Sequence, residues 1–431
     1  MGRTLAEKII CRAAGRDTVC AGETLTCRVD LAMVHDASGP RRVGPMLERL
    51  GVSVWDPDKL IVISDHYVPA VDAASTAILD LTRKWVAQAG VRNFYDMQGI
   101  CHVVLPERGH LRPGMFVAGG DSHSTTGGAF GCFMFGMGAT DMVGVLVTGE
   151  TWIRMPETIR LRWTGRLGRG VTAKDMMLHL CARLGMNGAD YQVVQYEGEA
   201  VAALAMAERM TLCNMAAELG ALTGIIAPDE TTAQYLRDAG ALRDAGAEPG
   251  DMARWQPDPD AAYRVTHELD AGALAPQVAA PHSPSNAVPV DDIGEVKIDQ
   301  AYIGACTGAK LADLHMAAEV LRGRRVARGT RLLVAPASTR TTEQAIADGT
   351  LAALTEAGAI LLASACGACA GLGAGLLADG EVCVSTTARN FKGRMGSAGA
   401  RVYLASPYSV AAAAVAGRIH DPRGFLDAGA P

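Results

Sequence analysis

The chain has no excess of basic residues, no long apolar run and few aromatic side chains. Its formal net charge is −6 and no basic stripe stands out, which argues against nucleic acid as the main partner. The N-terminal segment has no apolar signal core, and no apolar run approaches the roughly 20 residues that a spanning helix needs. We therefore expect no nucleic-acid ligand, no membrane span and a cytoplasmic location.

Aromatic residues make up only 5% of the chain, whereas 49% is apolar and 49 residues are glycine, a profile typical of loop-rich α/β enzymes. A length of 431 residues exceeds what one core supports, so we expect two to three domains. The cysteines are odd in number, eleven, and scattered, which indicates a reducing compartment. Most of them are expected to be small buried hydrophobic side chains: Cys11, Cys20, Cys27, Cys101, Cys132, Cys181, Cys213 and Cys383.

The other three cysteines lie in loops of small residues that follow strand-like runs. Cys366 and Cys369 form a Cys-x-x-Cys pair after the apolar run 359–363, and Cys306 follows a matching run that ends at Ile303. Small neighbours let a bulky ligand approach the backbone. Three soft ligands are one short of a closed zinc site, but they suit an iron–sulfur cluster in which one iron stays open. The spacing therefore favours such a cluster.

A carboxylate–imidazole pair follows another predicted strand. Leu60–Ser64 is a short apolar run that stops at Asp65 and His66. Because open α/β sheets bind ligands beyond the carboxyl ends of their strands, the pair is a candidate for chemistry. The alternative is a histidine satisfied by its neighbour in a turn. An earlier stretch, Cys27–Asp36, is predicted as one strand running into a polar loop that contains His35.

Two more histidines lie in or just after predicted strands. The apolar stretch Gly99–Leu105 is predicted as a strand with His102 inside it, where a structural role is the alternative. A further strand leads into a glycine-flanked loop that contains Asp121, Ser122 and His123 and is typical of an anion-binding turn. Histidines after three separate strands together favour a site at one sheet edge.

We predict three α/β domains, with boundaries at 1–157, 158–290 and 291–431. The second ends in a proline-rich connector, and the repeated Leu-Arg-Asp-Ala-Gly at 236–246 predicts a solvated helix and turn. In the third domain strands alternate with helices, including one over Thr341–Glu356, which indicates a parallel sheet covered on both faces.

Arg389 and Arg394 follow a strand of the last domain, on the same predicted rim as the thiols. They could be an ordinary solvated pair. Beside a cluster, however, their guanidinium groups suit a di- or tricarboxylate substrate.

Several motifs together resemble the large subunit of the aconitase superfamily, of the isopropylmalate and homoaconitate isomerase type, nearly end to end. They are Gly120-Asp121-Ser122-His123, Gly170-Val171-Thr172-Ala173-Lys174-Asp175, Leu212-Cys213-Asn214-Met215, Ile303-Gly304-Ala305-Cys306-Thr307, Ala365-Cys366-Gly367-Ala368-Cys369 and Arg389-Asn390-Phe391-Lys392-Gly393-Arg394. The resemblance implies three similar three-layer α/β/α domains around a [4Fe–4S] cluster. Its ligands would be Cys306, Cys366 and Cys369.

The implied reaction is dehydration and rehydration of a hydroxy di- or tricarboxylate such as an isopropylmalate- or homocitrate-like acid. The open iron would act as Lewis acid and template. By resemblance, the catalytic residues are Asp65, His66, His102, Asp121 and His123. The residues that bind substrate would be His35, Ser122, Gln195, Arg389 and Arg394.

The chain departs from the family pattern at a few positions. Relatives carry a glutamate near the open iron, for which Gln195 is the expected equivalent, and an asparagine where Ala388 stands. Because glutamine cannot take a proton, these departures imply a shifted substrate. The alternative is a catalytically altered or retired homologue that acts as a scaffold or as an iron-responsive binding protein.

The family's proton-abstracting serine lies on a separate swivelling domain, and no such domain follows the last predicted helix. The resemblance therefore implies a small partner subunit that carries this serine and closes the site.

Overall fold

A computed structural model of the chain describes residues 2–241 and 249–426. The described strands form three larger sheets and one two-stranded antiparallel ribbon, Thr24–Arg28 with Glu150–Arg154. The second copy of the repeated pentapeptide, at 242–246, lies outside the described residues. Among the described helices, none combines the length and the hydropathy that crossing a bilayer requires.

The first sheet has five parallel strands in an order that reverses direction near its centre. In spatial order they are Asn93–Asp96, Leu60–Ser64, Leu31–His35, Phe116–Gly119 and Phe133–Gly136. The chain builds outward from the central strand on one side and then returns to its other side. Such a switch point leaves a crevice beyond the carboxyl ends of the two central strands, where ligands bind in open α/β sheets. The crevice therefore opens beside His35 and Gly120.

The helices of this first part lie between the strands. Their bounds are Leu5–Ala14, Pro40–Leu50, Ala73–Ala89, Cys101–Glu107 and Ala139–Thr148, with a 3₁₀ helix at Ser122–Phe130. Sequence signals explain several ends. Thr4 and Glu7 form a capping box at the first helix, and Gly15 ends it in a left-handed conformation.

The second sheet has four parallel strands. In spatial order they are Thr223–Ile225, Val193–Glu197, Thr158–Thr164 and Val265–Asp270. The helices around it are Ala173–Leu184, Glu199–Ala203, Met206–Asn214 and Glu230–Asp238, with 3₁₀ helices at Met215–Leu219 and Pro249–Trp255.

The third sheet has seven strands, mostly parallel. In spatial order they are Ala287–Pro289, Gln277–Ala279, Arg401–Ala405, Val382–Ser385, Gln300–Ile303, Arg331–Val334 and Ala359–Leu361. The first two are antiparallel additions, and both precede the predicted boundary at residue 291. The three-domain division stays a prediction. The helices of this part are Leu311–Leu321, Thr339–Ala347, Thr350–Ala357 and Pro407–Ala416.

Three predicted elements differ from the observed ones. The stretch predicted as a strand around His102 is the helix Cys101–Glu107, because a short apolar run fits a buried helix as well as a strand. The predicted strand over 27–36 is two strands, which end and begin around Asp30. The predicted helix over 341–356 is two helices, since Gly349 between them adopts a positive φ of 81°.

One continuous apolar core joins the three large sheets. It includes Ile63 from the first, Trp163 from the second and Ile303 from the third. Because a single packed core fixes the three sheets against one another, loops from all three can contribute to one site.

Candidate active site

Asp36 organises the loops at the edge of the first sheet. It follows the strand Leu31–His35 and is fully buried, and its carboxylate accepts hydrogen bonds from the backbone N–H groups of Asp65, His66 and Tyr67 at 3.3, 3.0 and 2.9 Å. Burial raises the pKa of Asp36. This buried acceptor holds the Asp65–His66 turn in place.

Asp65 and His66 form a close ion pair at the strand end. Nδ1 of His66 lies 2.7 Å from Oδ1 of Asp65, and Oδ2 of Asp65 accepts the backbone N–H of Cys101 at 2.7 Å. Burial opposes both charges. The attraction between the two groups outweighs it, lowers the pKa of Asp65 to about 2 and raises the pKa of His66 to about 9. His66 is therefore an imidazolium at neutral pH.

His35 stacks on His66, but its ring is neutral whereas the His66 ring is charged. The ring centroids are 4.0 Å apart and the planes differ by 10°. Nδ1 of His35 accepts the N–H of Ala37 at 3.2 Å, and burial, with the His66 cation, lowers the pKa of His35 to about 4. A neutral ring beside a charged one avoids like-charge repulsion.

Asp121 joins the other two histidines. Nε2 of His102 lies 2.8 Å from its Oδ1, and the same oxygen accepts the backbone N–H of His123 at 2.8 Å. Burial disfavours the Asp121 carboxylate, but His102 and His123 outweigh that effect and hold its pKa well below the usual range. Asp121 is also the N-cap of the 3₁₀ helix Ser122–Phe130, so the local fold aims this carboxylate.

Glu218 is a site residue that sequence reasoning missed. It is 1% exposed, its Oε1 lies 3.1 Å from Nε2 of His123, and it accepts Nε–H of Arg389 at 2.8 Å. Arg389 also donates from Nη1 to Oγ of Ser122 at 3.0 Å. Burial raises the pKa of Glu218, but His123 and Arg389 outweigh it and lower the pKa. The sequence held a signal for this residue: Asn214 belongs to the motif 212–215, and Glu218 follows Asn214 by four residues.

The three predicted cluster cysteines lie beyond the carboxyl ends of parallel strands in the third sheet, as expected. The backbone N–H of Cys366 donates to the carbonyl of Asp65 at 2.9 Å, which ties the thiol loop to the His66 turn. Cys306 follows Ala305, whose positive φ of 66° is unusual for a residue with a Cβ. Strained backbone of this kind often occurs at functional sites.

Polar residues on helices around the second sheet, together with Lys310 of the third part, support the region around Cys306. Nδ2 of Asn214 donates to its Sγ at 3.1 Å and to Oγ1 of Thr126 at 2.8 Å. Nζ of Lys310 donates to the Cys306 carbonyl at 3.0 Å. Lys174, 1% exposed, donates to the carbonyls of Thr386 and Thr387 at 3.1 and 2.6 Å. These contacts fix the loop on which Cys306 sits.

Two buried polar atoms close to the thiols have no hydrogen-bond partner. Oδ1 of Asn214 and Nε of Arg394 are buried and make no hydrogen bond within the described residues. Such atoms carry a free-energy cost unless a ligand reaches them. The Cys366 thiol and, with it, Arg394 lower the pKa of Cys369 to about 5, so this predicted substrate residue also acts on the thiols.

The three thiols do not form a compact single-ion site. In the described part of the chain, groups of three or more ligand atoms within 4.8 Å of one another consist of histidines and carboxylates, and the three thiols form no such group. Around one tetrahedral zinc with bonds of about 2.3 Å, sulfurs lie about 3.8 Å apart. Three soft thiolates, one short of a closed zinc set, are the donors that an iron–sulfur cluster with one open iron takes.

Gln195 does not join these residues. It is fully buried, its Nε2 donates to Glu197 and, at 3.0 Å, to Oη of Tyr263. Tyr196, the next residue on the strand, faces the opposite side and contacts Met177. The hydrogen bonds of Gln195 therefore do not link it to the other candidate residues, whereas Glu218, from another element, is a buried glutamate that bonds to His123 and Arg389.

Ala388 is also buried, at 1% exposure. Its neighbour Asn390 donates to the carbonyls of Ala280 and Val402 at 2.9 and 3.0 Å. These bonds anchor the backbone that presents Arg389.

The chain matches a known family model over most of its length. Residues 7–417 match the family described as "Aconitase family (aconitate hydratase)". The chain belongs to the aconitase family. Membership confirms the expected α/β fold and the expected enzyme class, a hydro-lyase, and this family carries an iron–sulfur cluster.

Curated relatives of this family member cover nearly all of both chains. It is 46% identical to the 3-isopropylmalate dehydratase large subunit 1 of Methanopyrus kandleri, over 99% of this chain and 100% of that one. It is 44% identical to the probable 3-isopropylmalate dehydratase large subunit of Methanothermobacter thermautotrophicus, over 98% and 99%. It is 43% identical to the methanogen homoaconitase large subunit of Methanocaldococcus jannaschii, over 96% and 99%.

Proposed function

We propose that this aconitase-family chain is the large, cluster-bearing subunit of a hydro-lyase that dehydrates and rehydrates a hydroxy di- or tricarboxylate. The observation that carries the proposal is the His66 imidazolium, paired with Asp65 at 2.7 Å, on a turn bonded directly to the Cys366 loop. A proton donor and a set of soft ligands are thus fixed against each other.

Cys306, Cys366 and Cys369 would hold a [4Fe–4S] cluster with one open iron. When bound, the cluster supplies a Lewis acid for the substrate hydroxyl and a carboxylate oxygen. Burial raises the pKa of the Cys306 thiol to about 12, so this residue ionises readily only beside a strong cation. All eleven cysteines are free thiols, which fits a reducing compartment such as the cytoplasm.

His66 is the general acid in this proposal. A hydroxyl leaves readily only if it is protonated, and His66 is charged at neutral pH and the only member of its pair with partial exposure, 13% for its side chain. Asp65 holds the ring and stabilises the cation. The neutral His35, which stacks on the His66 ring, orients water or substrate.

The other residues position the substrate. Asp121 fixes His102 and His123, while Glu218 and Ser122 hold the Arg389 guanidinium. We assign Arg389 to a substrate carboxylate, since a guanidinium binds carboxylates through paired hydrogen bonds. Arg394 lies at the border between the thiols and that carboxylate.

The name "large subunit" of the relatives supports a separate small subunit as partner. We assign to it the serine that removes the proton next to the carboxylate. Against the alternative of a retired scaffold, Glu218 provides a buried carboxylate that contacts both His123 and Arg389.

The test is reconstitution. The chain purified without oxygen together with its small subunit should carry about four irons per large chain and hydrate isopropylmaleate- or homoaconitate-type alkenes. Full occupancy by one zinc, or a loaded complex without hydratase activity on either class, would contradict the proposal.

A further inference from the structure

A buried lysine near the thiol loops has no anionic partner in the described part of the chain. Lys174 lies in the first turn of the helix Ala173–Leu184 and is 1% exposed. Its Nζ donates to the backbone carbonyls of Thr386 and Thr387, and no carboxylate oxygen of the described residues lies within 4.0 Å of it. Burying a charge is costly unless an opposite charge compensates it. The helix adds to this cost, because its N-terminus carries positive partial charge.

The other buried lysine of this region does have a counter-ion. Lys310 is 5% exposed, and its Nζ lies 2.7 Å from Oδ2 of Asp313 while it donates to the Cys306 carbonyl at 3.0 Å. Both lysines therefore hold backbone carbonyls of loops at the site. Because Lys310 does so with a carboxylate beside it, support of a loop does not explain an ammonium without one.

Two carboxylates near Lys174 are committed to other groups. Asp175, the next residue, accepts two backbone N–H groups, both at 2.8 Å. Glu218 pairs with Arg389 and His123. Since neither carboxylate bonds to Nζ of Lys174, the compensating charge has to come from another group.

The ionisable neighbours of Lys174 include two thiols of the candidate cluster site. Burial lowers the pKa of Lys174 to about 8, and the strongest opposing effects come from Cys369 and Cys306. When a cluster is bound, these thiols are thiolates. Three thiolates outweigh the positive charge of an oxidised [4Fe–4S] core, so the bound group as a whole is anionic.

We propose that Lys174 is the counter-ion of the cluster: its buried ammonium compensates the charge of the thiolate-bound cluster and raises the reduction potential of that group. The inference rests on the proposed function and deepens it, since it names a positioning residue that acts through the cluster and not on the substrate. The potential of an iron–sulfur cluster depends on the net charge at the site. Because reduction adds an electron to a group that is already negative, a nearby cation favours the reduced form.

The test is a redox titration of the loaded large–small subunit complex, followed by electron paramagnetic resonance. Lys174→Gln and Lys174→Met both remove the charge, but only glutamine keeps N–H donors for the two carbonyls. Both variants should lower the reduction equilibrium constant by about tenfold, which corresponds to about 59 mV for one electron. A shift in Lys174→Met alone would assign the effect to the hydrogen bonds and would overturn the proposal.

The matched control removes the paired lysine together with its partner. Lys310→Gln combined with Asp313→Asn breaks the bond to the Cys306 carbonyl but leaves the net charge unchanged. The reduction equilibrium constant should therefore change by less than about twofold. A shift as large as that of Lys174→Gln would show that the potential responds to any disturbance of the loops, which contradicts a counter-ion.

The cluster-free chain provides a second measurement. Without the cluster the Lys174 charge is uncompensated, so the Lys174→Gln chain should melt at a temperature no lower than that of the wild type. If this variant does not fold, the fold itself needs the ammonium and the proposal fails.

Iron analysis of the wild-type complex separates this inference from the proposed function. A wild-type complex that takes up no cluster defeats both. A loaded complex whose potential is unchanged in both neutral Lys174 variants defeats the counter-ion alone and leaves the hydro-lyase standing.

Discussion

Two walls of the site differ in how their buried groups are partnered. The histidine wall consists of Asp65, His66, His102, Asp121 and His123. The thiol wall consists of Cys306, Cys366 and Cys369. On the histidine wall the carboxylates and rings pair with one another at 2.7–2.8 Å, and among the side-chain atoms of these five residues Nδ1 of His102 is the buried one left without a partner. Beside the thiol wall, Oδ1 of Asn214 and Nε of Arg394, which adjoin Cys306 and Cys369, have no partner within the described residues.

This difference in partnering indicates that the thiol wall depends on a ligand more than the histidine wall does. A hydrogen-bonded network of opposite charges keeps its geometry without further groups. A loop with unpaired buried polar atoms is costly until a ligand fills it. The histidine wall should therefore tolerate loss of the cluster, whereas mutations in each wall should affect different measurable properties.

The largest effect is expected at the thiol wall. Cys366→Ser should abolish both the brown cluster absorption and turnover, because a serine oxygen is a poor ligand for an iron–sulfur cluster. Iron analysis and a hydration assay measure the two properties. Cys20→Ser, at an exposed cysteine, is the control and should change neither. Retained iron in Cys366→Ser would remove this cysteine from the ligand set.

His66→Ala should show that turnover and cluster binding depend on different walls. We expect turnover to fall by about 10²- to 10⁴-fold, the usual contribution of a general acid, with iron content unchanged. Parallel measurement of kcat and iron per chain checks this. If iron is lost along with activity, the two walls are one structural unit and the comparison fails.

Glu218→Gln should give an intermediate effect. The change keeps the shape but removes the charge that pairs with His123 and Arg389, so kcat/KM should fall by about 10- to 100-fold. Gln195→Glu is the matched reverse change. It places a charge beside Glu197, so it should lower the melting temperature but leave kcat within about twofold. The opposite ranking of the two variants would return the essential glutamate position to residue 195.

The smallest effect is a shift in pH dependence. The imidazolium of His66 is present below its pKa of about 9 and is lost as the pH rises, so activity should fall through about pH 9. Asp65→Asn removes the main group that raises this pKa, so the falling limb should move to lower pH. A kcat/KM profile over pH measures the limb. An unmoved limb in Asp65→Asn would assign it to another group.

Local patterns predicted much of the site. Leu60–Ser64 is a bounded apolar run, so the strand and the position of Asp65 and His66 at its end could be predicted. The Cys-x-x-Cys spacing and its small neighbours likewise indicated the thiol loop. His102 was assigned to the wrong element, because seven apolar and small residues do not distinguish strand from helix.

The sequence by itself determined the ligand types, the strand ends that carry them and the family. Only the tertiary structure decided which distant groups meet. Glu218 reaches His123 across 95 residues of chain, and the Gln195 side chain bonds to Tyr263 rather than to the other candidate residues. The physical reason is that sequence periodicity specifies the face of an element, whereas the packing of three sheets on one core decides what that face meets.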